Sequence, residues 1–198
     1  MELYARLRIA NVTRQKEWDK DGGISLSYRG NELTGETGEA CNIIKKLDRE
    51  KLGIRGSRAT PDQLAEELAD VIICADLVGA TLSVDLAAAV IHARPREWAY
   101  IDTLDPAGGL SFLGNLLGRC VGEVNRLLDL IARRDLQPES DDGSAWLYGG
   151  KGAALARVCL VVEKIASLAS IDLDDAVIDK FNATSRKVGL TTMMATHG

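Results

Sequence analysis

Two short stretches of this 198-residue chain set carboxylates at helical spacing. In NELTGETGEACNIIKK (31–46), Glu36 and Glu39 stand three residues apart. Each helical residue advances by about 100°, so the pair lies about 60° apart, with Glu32 between them in angle and one turn earlier. In QLAEELADVIICADLVG (63–79), Glu67 and Asp70 repeat the spacing, and Glu66, four residues before Asp70, competes for the same role. A lone E-x-x-E is ordinarily a solvated face. Here two features point to chemistry. Arg29 and Lys46 stand at the margins and nothing basic stands among the acids of the first cluster, so like-charge repulsion is uncompensated. Asp70 lies in LADVIIC, apolar on nearly every side, and a buried carboxylate without a partner costs several kcal/mol.

A hard divalent cation answers both problems. Oxygen-only donors suit Mg²⁺ or Mn²⁺ rather than zinc. The only histidines are His92 and His197, and neither stands near these acids. That excludes a zinc site built on paired histidines and a di-iron bundle built on Glu-x-x-His. His92 lies on an apolar helix end and reads as structural.

The elements that must carry these residues are helices. Alternating β-branched runs are nearly absent, whereas Ala, Leu and Glu are plentiful, so the expected fold class is all-α. A first helix is expected over about 31–49, after the turn signals Gly22-Gly23 and Gly30, fading into EKLGIRGSRA. A second starts sharply, with Thr60 as N-cap, Pro61 at the first helical position and Gln63 completing a capping box, and runs to about Val78. A third follows Ser83, with Asp85 in its first turn, and is expected to stop before Pro95. The polar, Gly-rich segment 135–152 is expected to be a loop.

The programme then repeats. Glu17-Trp18 recurs as Glu97-Trp98, Gly22-Gly23 as Gly108-Gly109, Gly30-Asn31 as Gly114-Asn115, and Gly38-Glu39 as Gly122-Glu123. Gly56-Ser57 recurs as Gly143-Ser144, and SVDLAAAVI (83–91) as SIDLDDAVI (170–178). The order is kept and the offsets drift only from 80 to 87 residues. The expectation is a tandem duplication forming a helical bundle of two halves, 1–95 and 96–198, packed as a covalent pseudo-dimer in one compact unit. The acids do not follow the scaffold. Glu36 maps onto Cys120, Glu67 onto Ala154 and Asp70 onto Arg157, with only Glu39 kept, as Glu123. The acids are therefore not needed to build the fold, and one metal site per chain is expected, in the first half.

Composition narrows the class further. A net charge of -5 and a pI near 5.1 argue against coating duplex nucleic acid. Aromatics are 5%, too few for a single-strand stacking platform. Cys41, Cys74, Cys120 and Cys159 form no C-x-x-C pair and sit in apolar stretches, which suits buried thiols in a reducing compartment. No run is long and apolar enough for a signal peptide or a membrane span. The expectation is a soluble cytoplasmic protein without a membrane partner. Whether two chains associate as a homodimer stays open.

The four-acid set on two helices (Glu36, Glu39, Glu67, Asp70), with ELTGETGEACNIIKKL and ELADVIICADL around it, resembles the MazG-like all-α nucleoside triphosphate pyrophosphohydrolases. So does the carboxy-terminal DKFNATSRKVGL (179–190). Residues 14–92 and 170–190 carry the likeness; 93–169 matches only as a degenerate copy, as in the related dimeric-type dUTPases. The resemblance implies Mg²⁺-dependent hydrolysis of a nucleoside or deoxynucleoside triphosphate to the monophosphate and pyrophosphate, with the four acids as metal ligands or, for one of them, as holder of the attacking water. Clustered acids repel a triphosphate, so cations must frame them: Lys45, Lys46, Arg49, Arg55, Arg58, and Lys180 with Arg186 or Lys187 from the tail. Lys180 is the best matched. Asn182 stands two residues beyond it, closer than the family's Asn, and either reads a base edge or caps the chain end. Trp18, Tyr28 and Asn31 precede the first acid helix, where relatives place base-contacting groups. The alternative is a non-catalytic nucleotide-binding or partner-binding helical protein.

Overall fold

The computed structural model describes residues 2–103, 109–136 and 144–196. Seven helices and no strand occur among the described residues: α1 (Glu2–Trp18), α2 (Leu26–Lys51), α3 (Pro61–Thr81), α4 (Leu86–Thr103), α5 (Gly109–Leu136), α6 (Ser144–Leu168) and α7 (Leu173–Lys187). The chain is all-α. His197 and residues 137–143 of the expected loop lie outside the described residues.

The start of α3 matches its local signals. Thr60 Oγ1 accepts from Gln63 N at 3.2 Å and Gln63 Oε1 accepts from Thr60 N at 3.0 Å, with Pro61 next in line. Ser25 caps α2, so that helix begins five residues before the expected Asn31 and takes Gly30 into its interior. The reason is tertiary. A Cβ at Gly30 would stand 2.7 Å from Asn125 Oδ1 and 2.9 Å from Leu128 Cδ1, so any larger residue would push both side chains aside, and glycine lets α2 approach α5 without that shift. A Cβ at Gly114 of α5 would meet Ile44 Cδ1 at 3.4 Å and Cys41 Sγ at 3.7 Å.

Two expectations about elements need correction, and a third element was not foreseen. The first concerns α4, which does not stop before Pro95 but runs through it to Thr103. A mid-helix proline costs about 3 kcal/mol. Here the far half of α4 is held to α6 by Arg94–Glu163 at 2.5 Å, Glu97–Arg157 at 3.1 Å and Asp102–Lys164 at 2.6 Å. Ile91, whose carbonyl loses its donor, is half exposed. The second concerns 135–152, which is not one loop: α5 extends to Leu136 and α6 begins at Ser144. Gly152 fits α6 against Ala89 and Val84, and Lys151 Nζ donates to Leu82 O at 2.7 Å at the end of α3. The third is α1, which no sequence signal announced. Its inward stripe is Leu3, Tyr4, Leu7, Ala10, Asn11 and Arg14, and the last two are polar, which blurs the amphipathic pattern.

α2 packs on α3 and α5, α5 on α6, α4 on α6, α7 on α3, and α1 over α3. One continuous core runs through them, with Leu33, Leu64, Leu68, Ile72, Leu117, Leu155, Ile165 and Phe181 fully buried. α3, the most apolar of the elements around the acids, lies at its centre, and among the described residues no single helix is long and apolar enough to cross a membrane. The α1–α3 contact is locked by buried Asp76, which accepts from Arg8 Nε at 2.9 Å and Asn11 Nδ2 at 3.0 Å. Among the described residues only two non-glycines adopt left-handed backbone, Ser83 (φ 55°) and Ser170 (φ 57°), each closing the turn before the next helix.

Candidate metal centre

α2 and α3 lie side by side, so acids on their facing edges converge. One carboxylate oxygen each from Glu36, Glu67 and Asp70 lie within 4.8 Å of one another. All three residues are half-buried. From α7, Lys180 Nζ reaches Asp70 Oδ2 at 2.8 Å. The ammonium is more distant from Glu66, at 3.9 Å, and the Glu66 side chain is 65% exposed. Of the two competing glutamates, Glu67 joins the cluster and Glu66 stays at its rim. Glu39 is exposed and stands outside the three-residue group, yet its charge is felt by Glu36, Glu67 and Asp70.

The electrostatics follow from crowding. Burial, then Asp70, Glu39 and Glu67, push the Glu36 carboxyl up to about 7, with Lys180 pulling the other way. Glu67 is raised by burial and by Glu39, and Asp70 by burial, against the Lys180 bond. Burial works against the Lys180 charge, but the bond to Asp70 and the charges of Glu67 and Glu66 outweigh it and hold the ammonium above its ordinary range. Three carboxylates and one ammonium leave two negative charges, the complement of one divalent cation. The donors are all oxygen, the set that a hard ion such as Mg²⁺ or Mn²⁺ takes. The residues present fit that group.

A cavity of about 770 Å³ opens over Glu36 and Asp70 of the cluster, with Glu39 and Glu66 also in its wall, and is large enough for a nucleotide-sized ligand. Its walls include Trp18 from α1 and Lys180, Thr184 and Lys187 from α7. Trp18 is half exposed, so its ring is available at the mouth.

The chain matches no family model, no curated protein and no solved structure.

The structure brings together Glu36, Glu67, Asp70, Lys180 and Trp18, with Glu39 adjacent. It does not bring the other expected residues to this cavity. Lys45 is exposed and Lys46 half-buried on later turns of α2, and neither lines it. Arg49 instead donates to Ser57 O at 3.3 Å and Oγ at 3.1 Å, while Arg55 and Arg58 are exposed in the loop before α3. Asn31 lines a separate groove between α2 and α5, beside Asn125 and Asp129. Tyr28 is half exposed. Cys74, one turn beyond Asp70, feels the charges of Glu32, Glu36 and Asp70, and burial raises its thiol far above the ordinary range.

Asn182 is buried and its amide is committed to the chain end. Its Nδ2 donates to Met194 O at 3.0 Å and its Oδ1 accepts from Met194 N at 2.7 Å. Of its two expected roles, the cap is the one present. Asn182→Ala strands two buried backbone groups, at a cost of about 2 kcal/mol. Proteolytic trimming of residues 190–196 should accelerate several-fold relative to Met193→Ala, an exposed control. Equal trimming would mean that Glu17 and the Arg6 bond to the Ala195 carbonyl hold the tail without Asn182.

Two contributors escaped sequence reasoning. Arg14 of α1 is buried behind the site. Its guanidinium lies 3.5 Å from the Phe181 ring centroid and 6.0 Å from that of Trp18, and Nη1 donates to Phe181 O at 3.2 Å. Burial lowers it to about 10, while Cys74 and Asp70 work to raise it. Glu17 accepts from the backbone N of Thr191 at 2.8 Å and of Thr192 at 3.0 Å, and also from both threonine hydroxyls. Those bonds hold its carboxyl down at about 2. The only sequence signal for Arg14 is its i, i+4 spacing from Trp18.

Proposed function

We propose that this protein is a Mg²⁺-dependent nucleoside triphosphate pyrophosphohydrolase, of the MazG-like kind that its acid motifs resemble. The observation that carries the reading is the convergence of Glu36, Glu67 and Asp70 from two helices, with Lys180 brought in from a third. Glu36, Glu67 and Asp70 would hold a divalent ion, which would supply neutralisation of phosphate charge and a more acidic water for attack on the α-phosphorus. The chain's own residues do the rest. Glu36, Glu67 and Asp70 orient their oxygens toward one point. Lys180, held by Asp70, offers its ammonium to the phosphates from the α7 side. Glu39, exposed next to the cluster and hydrogen-bonded to Glu67, is the carboxylate that accepts a proton from the attacking water at its Oε atoms. Lys187 and Trp18 line the path by which the triphosphate and base enter. The test is pyrophosphate release from purified protein with Mg²⁺ across common and modified triphosphates. Nucleotide bound without pyrophosphate release would leave the non-catalytic reading instead.

The tandem duplication belongs to this reading. Ser83 and Ser170, 87 residues apart, share the same left-handed turn, and both turns repeat one hydrogen-bond pattern: Val84 N to Gly79 O at 2.8 Å, and Ile171 N to Ala166 O at 2.9 Å. The packing is reciprocal, since α4 meets α6 as α7 meets α3. At the α2–α5 crossing Gly30 meets Asn125 and Leu128, and Gly114 meets Cys41 and Ile44, the same pairs at an offset of 84. These support two halves related by a pseudo-twofold, with three of the four acids lost from the second; because α4 is the counterpart of α7 and runs to Thr103, the boundary falls after α4 rather than at the expected 1–95 and 96–198.

Metal binding should release protons. With Glu36 near 7, about half the metal-free molecules carry its proton at neutral pH, and the ion must displace it. Apparent Mg²⁺ affinity should fall roughly tenfold per pH unit below 7 and flatten above it. Calorimetric titrations in buffers of different ionisation enthalpy check this; a pH-independent affinity would show that Glu36 is not a ligand.

A further inference from the structure

A second cavity, of about 550 Å³, opens between α4, α5 and α6. At the repeat's offsets it is the counterpart of the carboxylate cavity. Cys120 stands where Glu36 stands and Arg157 where Asp70 stands, while Arg96, Glu97 and Tyr100 occupy the positions of Ala183, Thr184 and Lys187. We propose that this cavity binds a phosphate-bearing anion directly, without a metal ion, as an effector or product site.

The charge argument is simple. Replacing the Asp70 carboxylate by the Arg157 guanidinium turns that position from negative to positive, so it attracts a phosphate without an ion, and its planar fork suits phosphate oxygens. The wall of the first cavity carries six carboxylates against two ammonium groups; this one carries three guanidinium groups against two carboxylates. Of those two, Glu123 is paired with Arg126 at 3.3 Å. Buried Glu97 organises the site: it holds Arg157 through Nε at 3.1 Å and Nη2 at 3.4 Å, and Arg96 at 3.1 Å. One negative charge thus fixes two positive ones. Arg119 is exposed and engages no carboxylate among the described residues. Tyr100, half exposed at the rim, offers a ring.

The same substitutions remove hydrolysis. The first half's ligand triad has become Cys120, Ala154 and Arg157, which leaves no oxygen donor among those three positions. Burial pushes the Cys120 thiol up to about 11, so it stays neutral at physiological pH. A phosphate bound here has no ion beside it to activate water. The inference uses the repeat invoked above but not the carboxylate centre, so either can fail alone.

The test is calorimetric titration of the full chain with pyrophosphate, and separately with a nucleoside monophosphate, in EDTA. The expected result is saturable binding at one site per chain, retained in Glu36→Gln, weakened about tenfold in Arg119→Ala and further in Arg96→Ala/Arg119→Ala. Both arginines are exposed, so these variants keep the buried Glu97–Arg157 pair. Tighter pyrophosphate binding identifies a bare phosphate site; tighter nucleotide binding that Tyr100→Ala abolishes identifies a base contact. No binding in EDTA overturns the proposal, as does binding that Lys180→Ala removes and Arg119→Ala leaves unchanged.

Discussion

Glu36→Gln is expected to abolish metal-dependent turnover while making the metal-free chain more stable at pH 7.5. The loss of activity follows from the donor set. A three-carboxylate group that loses one charge and one ligand oxygen holds a divalent ion poorly, and a loss of at least ~10³ in turnover, or about 4 kcal/mol, is expected. The gain in stability follows from the same crowding. The folded carboxyl of Glu36, near 7, lies above its ordinary 4.5, so the native state binds the proton more tightly than the unfolded chain. Its contribution to stability is full below pH 4.5 and is lost as pH rises through 7. Glutamine keeps the shape without the charge. Because Glu36 is only half-buried, solvent screening leaves a gain of about 1 kcal/mol at pH 7.5, shrinking toward zero near pH 5. Denaturant midpoints in EDTA at the two pH values measure it. A Gln variant that turns over normally, or that is destabilised at pH 7.5, would refute the proposed centre.

Phe181→Ala should cost about 3–5 kcal/mol, which for a chain of this size lowers the melting temperature by roughly 10–15 °C. Phe181 is fully buried and lies under the Arg14 guanidinium. Removing the ring leaves a cavity and takes the aromatic face from a cation that burial has already stripped of water. Lys180 is its neighbour in α7, so the loosening should also weaken the hold on Asp70. Val188→Ala, at a half-exposed position, should stay within about 0.5 kcal/mol. A loss below about 1 kcal/mol for Phe181→Ala would mean that α7 is docked by its polar contacts rather than by this ring.

Much of the site was legible because it lies on two continuous helices whose local signals agree. The 100° advance per residue fixes Glu36 against Glu39 and Glu67 against Asp70, whatever the rest of the chain does. The capping box at Thr60–Gln63 sets the start of α3 by short-range hydrogen bonds. Lys180 was legible only through the likeness of the tail, and Lys45, Lys46 and Asn31 were misplaced relative to the cavity because nearness along a helix says little about direction across it. Pro95 was read by its local cost; the ion pairs from α4 to α6 that offset it join residues more than 60 positions apart.

By itself, then, the sequence determined an all-α chain, the i, i+3 acid pairs and the spacing of the repeated landmarks, because helix periodicity and capping act over a single turn. Only the tertiary structure decided that Glu67 rather than Glu66 completes the triad, that Asn182 ties down the chain end, and that Arg14 lies behind α7. Those choices depend on how α1, α3 and α7 meet. Contacts across so many residues are set by packing the whole core at once, which leaves no short-range mark in the order of the amino acids.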